Sequence, residues 1–264
     1  MSRPLVSIVT PSLDQGAFVE RTLESVLSQR GDFDLEHLVQ DGGSSDQTLA
    51  ILERHRGRIS LVVEPDAGQA DAVNRALRRA RGEIVGWVNS DDLLRPGAVQ
   101  AAMEAFRAAP SALWLHGKCE IVDEDDRPIR RPVTAYKDFR ARRHGMDRLL
   151  VENYVSQMTV FWRRSLQDRV GLLDPSLRYT FDYDLWLRFA AVAPPLYVTR
   201  TLAAFRWLAA SKSGSSFEAQ FAEDWEVFLR HAPDDRWLRL RKRIRTAQIL
   251  AVYRVLRTLR PPVR

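Results

Sequence analysis

At 264 residues the chain can bury a full core as one domain or as a main domain with an appendage, and its one cysteine, Cys119, excludes an internal disulfide and is expected to be a small packed residue. The net charge of +6 is uneven: ten Arg and Lys and no acid lie between Arg236 and Arg264, so the preceding 235 residues carry −4, and nucleic acid is not expected as a partner. No apolar run reaches the ~18–20 residues of a spanning helix, and Met1-Ser2-Arg3-Pro4 enters a strand-like run without a signal-peptide layout, so the protein is expected in the cytoplasm, free or peripheral on the cytoplasmic face of the membrane.

Leu5 to Thr10 reads as a buried strand, followed by a polar break through Gly16. Val19, Leu23, Val26 and Leu27 fall at helical spacing and predict a helix that stops near Gly31. Leu35 to Gln40 is the second strand, closed by Asp41-Gly42-Gly43-Ser44-Ser45-Asp46, and Leu49, Ile51 and Leu52 mark the second helix. Ile59 to Val63 is the third strand; Ala70, Val73, Ala76, Leu77 and Ala80 mark the third helix; Glu83 to Val88 is the fourth strand. Four such units predict right-handed crossovers and a Rossmann-like, largely parallel central sheet with helices on both faces.

Further along, Ala112 to Lys118 and Glu120 to Asp123 read as strands, and the acids from Asp123 to Asp126 read as turn-formers before a short strand. Ser156 to Trp162 resembles another strand, and Leu185, Leu187, Phe189 and Ala190 belong to a later helix. The expected organisation is one α/β domain over 1–232 and a basic helical tail over 233–264.

In a doubly wound sheet the ligand meets the loops that follow the strands. Here those loops are Pro11-Ser12, Asp41-Gly42-Gly43, Glu64 to Gln69 and Asn89-Ser90-Asp91-Asp92, and three of the four carry acids. Neither a P-loop nor G-x-G-x-x-G occurs, which counts against an ATPase and a nicotinamide dehydrogenase. Two adjacent carboxylates at a strand end call for a cation, and an oxygen-rich, histidine-poor set favours a hard one. The alternative is a solvated turn with Asp92 near the N-cap of a helix that Pro96 helps to start. A ligand with hydroxyls and amide N–H groups, plus a metal to neutralise phosphates, suits these loops, and a nucleotide sugar fits that description.

The chain resembles the family 2 inverting glycosyltransferases of GT-A fold. The matching segments are Val6 to Ser12, His37 to Thr48, Glu64 to Asn74, Ala80-Arg81-Gly82-Glu83 with Asn89 to Asp92, and Phe181 to Arg188, in the family's order. The resemblance implies a nucleotide-binding half over about 1–118 and an acceptor-binding half over about 119–232. It places Asp41 on the nucleotide base, with Pro11 and Ser12 lining the same pocket and uracil or thymine as the chemically reasonable base; an Asp-Gly-Gly turn with Asp46 capping the next helix is the local alternative. Gly68 and Asp71 would approach the diphosphate or ribose, joined by Asn74 unless its amide bonds the backbone. Asp92 and Asp91 match the family's metal motif for Mg²⁺ or Mn²⁺, although Asn89 stands where the first acid often lies. Asp182 matches the catalytic base, with Phe181 in place of the preceding acid, while Asp184 is expected to pair with Arg188. Arg206 and Lys212 could meet the diphosphate, Leu208 replaces a histidine common at that position, and Trp186 and Trp207 are expected to pack in the core.

The implied reaction moves a sugar from a UDP- or dTDP-sugar to a glycan or lipid-linked acceptor, in cell-surface polysaccharide or glycolipid synthesis. A catalytically inactive nucleotide-sugar binder, or a nucleic-acid binder acting through the tail, are the other readings. In the tail, Trp237, Leu240, Ile244, Ala247 and Ala251 fall at helical spacing among arginines, which suits an anionic membrane surface as partner for residues 236–264, or a solvated helix packed on the body.

Overall fold

The computed structural model describes residues 3–143, 145–208, 217–232 and 234–258. The predicted alternation holds through β1 (Leu5–Ser12), α1 (Val19–Leu27), β2 (Asp34–Asp41), α2 (Thr48–Arg54), β3 (Ser60–Val63), α3 (Gln69–Arg79) and β4 (Ile84–Trp87). Neighbouring residues of β2 show how both sheet faces are covered, because successive side chains of a strand point to opposite sides. Leu38 packs with Val73, Ala76 and Leu77 of α3. Val39 packs with Val19 and Leu23 of α1 and with Ile51 and Leu52 of α2.

The alternation ends after β4. Next come β5 (Leu93–Leu94), α4 (Ala98–Ala108), β6 (Trp114–Val122), β7 (Pro128–Ile129), α5 (Arg131–Ala141), α6 (Met146–Val151), β8 (Phe161–Arg163), α7 (Arg164–Val170), α8 (Phe181–Val192), β9 (Leu196–Arg206), α9 (Phe217–His231) and α10 (Arg236–Thr258). The sheet order is β3-β2-β1-β4-β8-β6-β9-β5, with β7 on β6. Its first four strands are parallel. Beyond them β8 runs antiparallel to β4 and β6, and β5 antiparallel to β9, while β9 is parallel to β6. The sheet is therefore mixed, and parallel throughout only in the half built from strand-helix units.

Three local readings change. The two strands expected around Cys119 are one, β6, whose pairing with β9 shifts register between Gly117 and Cys119; a Cβ on Gly117 would lie 2.5 Å from the Leu202 side chain. Gln157–Thr159 is a 3-10 turn rather than strand, because Thr159 returns both its N–H (3.0 Å) and its hydroxyl (2.7 Å) to the Ser156 carbonyl. Asp92 does not cap a helix: β5 follows it, and α4 starts after Gly97. No described helix is long and apolar enough to cross a membrane.

Candidate active site

Parallel register brings the strand-end loops to one edge. Ser12 lies abreast of Asp41, Asp41 abreast of Val63, and Val9 abreast of Trp87. Pro11 and Ser12 are buried at the end of β1, and the Ser12 hydroxyl has no hydrogen-bond partner among the described residues. Asp41 is fully buried; its carboxylate accepts the N–H groups of Gly43 (3.0 Å) and Ser44 (2.7 Å) and the Ser44 hydroxyl (2.7 Å). The Asp-Gly-Gly turn is thus realised, with Gly43 at φ +93°, a conformation that favours glycine. Asp46 accepts the N–H of Thr48, the first residue of α2 (2.8 Å). Gly42 lets the next loop close in, since a Cβ there would sit 2.8 Å from Asp66 Oδ2.

Exposed Gly68, at φ +117°, precedes α3 and donates its N–H to Asp66 (2.9 Å). Asp71 accepts the Ala67 N–H (3.1 Å) and pairs with Arg75 (2.8 Å); the Ala67 bond foremost holds its carboxyl below the usual range. Asn74 departs from the expected role. Its amide, 3% exposed, donates to the Leu173 carbonyl (2.9 Å) and accepts the Leu173 N–H (3.0 Å), stapling α3 to a segment 99 residues away. Facing the backbone in both directions, it is withdrawn from the ligand edge.

The acidic pair sits in a loop held from all sides. Thr22 of α1 donates its hydroxyl to the carbonyls of Ser90 (2.9 Å) and Asp92 (2.8 Å), and Gln157 bonds the Trp87 carbonyl (2.6 Å). Fully buried Asp92 accepts the Arg206 N–H (3.0 Å) on Oδ1 and the Asn89 amide (3.2 Å) on Oδ2. Asn89 in turn accepts from Trp87 Nε1 and Gln69 Nε2, both at 2.9 Å. An aspartate at position 89 could not donate to Asp92, so the departure from the common motif orients the acid that remains. Burial pushes the Asp92 carboxyl well above the carboxylate range and the charge of Asp91 adds to this; burial also raises Asp91. The positive charge of Arg206 lowers both carboxyls without offsetting burial. Their hard oxygens fit a divalent cation such as Mg²⁺ or Mn²⁺, and no cluster of three acidic, histidine or cysteine ligands occurs among the described residues.

Arg206 does not reach open space. Its guanidinium is wholly buried, bonded to Asp126 and to the Asp91 carbonyl, and lies over the Phe18 ring at 4.8 Å. This corrects its expected contact with a diphosphate: Arg206 braces the acidic loop. It also corrects Asp126, which is more than a turn-former; at φ +66° it turns toward Arg206 and Arg21 (2.8 Å), whereas Asp123 does close the turn through the N–H groups of Asp125 and Arg127. Lys212 lies outside the described residues. Leu208 is partly exposed, and Trp207 lies under the Arg130 guanidinium at 4.0 Å. Trp186 is core, stacked on Trp114 with centroids 6.1 Å apart. Burial lifts the Cys119 thiol to about 12, so it holds its proton at neutral pH.

Asp182 opens α8. The Phe181 ring beside it stacks on Trp87 at 5.7 Å, which brings the start of α8 to the acidic loop. Burial raises the Asp182 carboxyl to about 6, opposed first by the Tyr183 N–H and then by the positive charge of Lys137. Asp184 differs: it is bound by Arg188 (2.9 Å) and His231 (2.7 Å), and, against burial, the His231 bond leads in keeping its carboxyl low. The expected Asp184–Arg188 pair is present, and His231 is an addition.

One residue was invisible in the sequence. Glu223 of α9 accepts the N–H groups of Arg178 (2.6 Å), Tyr179 (2.6 Å) and Thr180 (2.7 Å) and the Thr180 hydroxyl (3.0 Å). Thr180 is the N-cap of α8 and makes no side-chain cap of its own, so Glu223 satisfies the helix start from a distant element. No local signature marks an acid 43 residues downstream as a cap.

A family model described as glycosyl transferase family 2 matches residues 7–170. An uncharacterized glycosyltransferase of Mycobacterium tuberculosis is 31% identical over 208 residues, which are 77% of this chain and 76% of that protein. The chondroitin synthase of Escherichia coli is 28% identical over 200 residues, 75% of this chain but 28% of that enzyme, so the chain spans about a quarter of it. In structure the chain is similar to the mannosyltransferase of Pyrobaculum calidifontis in complex with GDP-Man and Mn²⁺, at a TM-score of 0.66 and 18% identity over 98% of this chain and 82% of that one. TarS of S. aureus (residues 1–349) in complex with UDP-GlcNAc gives 0.65 and 19% identity over 93% and 71%. The mixed α/β sheet is that of the GT-A fold. With more than half of its length matched by the family model, the chain belongs to glycosyl transferase family 2.

Proposed function

We propose that this glycosyltransferase transfers a sugar, with inversion, from a UDP- or dTDP-sugar to a hydroxyl of a glycan or lipid-linked acceptor, and that Asp182 is the base. The observation that carries this reading is the contrast between the two acids of α8. Asp182 has its carboxyl raised to about 6, a value suited to taking a proton near neutral pH. Asp184 is committed to Arg188 and His231.

In this reading Pro11 and Ser12 line the pocket of the base, where the unpartnered Ser12 hydroxyl gains a partner. A ring N–H of the base takes the place of the Ser44 hydroxyl on Asp41. Gly68 brings bare backbone to the diphosphate, and Asp71 stays ionised to accept ribose hydroxyls. Asp91 and Asp92 would hold Mg²⁺ or Mn²⁺, which when bound would supply positive charge to the departing nucleoside diphosphate. Lys212 adds charge there, and Arg206 keeps the acidic loop in place. The reading assigns residues 1–118 to the donor and about 119–232 to the acceptor, and puts the enzyme in the cytoplasm, in polysaccharide or glycolipid synthesis.

The test is a thermal-shift comparison of UDP-, dTDP- and GDP-sugars with and without Mn²⁺, followed by nucleotide release from the sugar that stabilises most. A rise in melting temperature with a uridine or thymidine donor, with release lost in Asp182→Asn, is expected. Absence of stabilisation by any nucleotide sugar overturns the reading; stabilisation without release in the wild type leaves only a binder.

A further inference from the structure

α10 meets the body along one side. Leu238 and Lys242 are 3% and 1% exposed, and Lys242 pairs with Asp224 of α9 while its Nζ lies over the Tyr183 ring at 5.1 Å. Three residues beyond Lys242, on the same inner side, Arg245 pairs with Glu152 (3.0 Å) and covers the Tyr136 ring at 5.1 Å. Positions 238, 242 and 245 share one face at 3.6 residues per turn. On another face Trp237, Leu240 and Ile244 are 75%, 45% and 50% exposed. Exposed Arg236, Arg241 and Arg243 flank that row, and no acid occurs from Arg236 to the end of the chain. The helix is thus packed on the body, the second of the two alternatives its sequence offered, and keeps an apolar row toward solvent.

We propose that this outer face of α10 docks on an anionic lipid bilayer, with Trp237, Leu240 and Ile244 entering the boundary between headgroups and acyl chains and the three arginines meeting the headgroups. An aromatic and two aliphatic side chains between cations match that boundary. Two copies pairing through the face would set arginines against arginines, and a nucleic-acid backbone would leave the apolar row without a counterpart. The helix is anchored beside the proposed chemistry: Asp224, its partner, follows Glu223, which clasps the segment before Asp182. Docking would therefore hold α9 and the start of α8 near the bilayer; that a lipid-linked acceptor is met there rests on the proposed function, whereas docking does not.

The experiment is co-sedimentation of the full chain, without nucleotide sugar, with vesicles of phosphatidylglycerol and phosphatidylcholine in equal parts and with vesicles of phosphatidylcholine alone. The wild type is expected to pellet with the anionic vesicles and to be released by salt. Trp237→Ser with Leu240→Ser and Ile244→Ser, and separately Arg236, Arg241 and Arg243→Gln, should each weaken pelleting roughly tenfold or more. Both variants should keep nucleotide release; the apolar variant should also keep the melting temperature, since its side chains face outward, whereas Arg243 covers the Trp225 ring at 5.1 Å, so the arginine variant is compared at a temperature well below its own melting point. Wild-type protein that stays in the supernatant overturns the proposal, as does equal pelleting of the variants. A dimer seen by light scattering that the apolar variant abolishes would reassign the face to a second copy, and duplex DNA binding lost with the arginines would reassign it to nucleic acid. Because no sugar is present, failure here leaves the glycosyltransferase reading intact.

Discussion

Two sets of side chains at the candidate site of this protein are placed by different means. In one set the groups are held within their own loops: Asp41 by Gly43 and Ser44, Asp71 by Ala67, and Gly68 by Asp66. In the other set they are held across the chain. Asp92 is bound by the backbone of Arg206, 114 residues on, Arg206 by Asp126, and the segment before Asp182 by Glu223. A loop that orders itself is legible as a motif, whereas a residue positioned by a distant element carries no sign of its role in its own neighbourhood.

The sharpest way to strain this contrast is Asp182→Asn. Transfer is expected to fall by roughly 10²–10⁴-fold, the usual contribution of a general base, with donor affinity unchanged by calorimetry. In the wild type the rate should rise with pH and level off above about 6, because the base must lose its proton; residual activity of the variant should lack that limb. Since Asp182 holds its proton more tightly folded than unfolded, its ionisation opposes folding as pH climbs from its ordinary range through about 6 and beyond. The variant removes that opposition, so its melting temperature at pH 7 should not fall.

Asp92→Asn should lower transfer by on the order of 10²-fold or more, because a metal ligand supports several kcal/mol of charge stabilisation. Mn²⁺ should then no longer raise the melting temperature in the presence of nucleotide, and chelation of the wild type should mimic the variant. Full activity of either after chelation would remove the acidic pair from the chemistry. Glu223→Ala tests the support of the segment before Asp182 alone. It strips the partners from three N–H groups and should cost about 1–3 kcal/mol of stability. Transfer should slow while donor affinity, read by calorimetry, stays as in the wild type; an equal loss in both would show that the locally and distantly held sets are not independent. The smallest effect is expected from Asn74→Ala: a lower melting temperature, about 1–3 kcal/mol for the buried Leu173 backbone groups left unpaired, with donor affinity unaltered. A selective loss of donor binding would return Asn74 to the ligand edge.

Periodicity placed the first four strands and three helices because each element there buries a face against its immediate neighbours in the chain. The same reading split β6 at its bulge, extended a strand through the 3-10 turn at Gln157–Thr159, and did not anticipate β9, since those strands depend on partners far away in sequence. In the site, Asp182 and the acidic pair stood out by motif. Asn74, Arg206 and Asp126 had a residue type compatible with ligand or turn, and burial together with distant partners decided otherwise.

By itself the sequence determined the parallel half of the sheet, the edge on which its loops gather, and the acids that mark that edge, because hydrophobic period and turn chemistry act over a few residues. Only the tertiary structure decided which acids stay committed and which stay available. Hydrogen bonds to Leu173, 99 residues on, close off Asn74, and Arg188 and His231, 4 and 47 residues on, close off Asp184, while burial outweighs the charges of Arg206 and Lys137 and leaves Asp91, Asp92 and Asp182 raised in pKa. It also decided that the basic helix turns Lys242 inward to Asp224 and Trp237 outward, a division that depends on the surface it packs against.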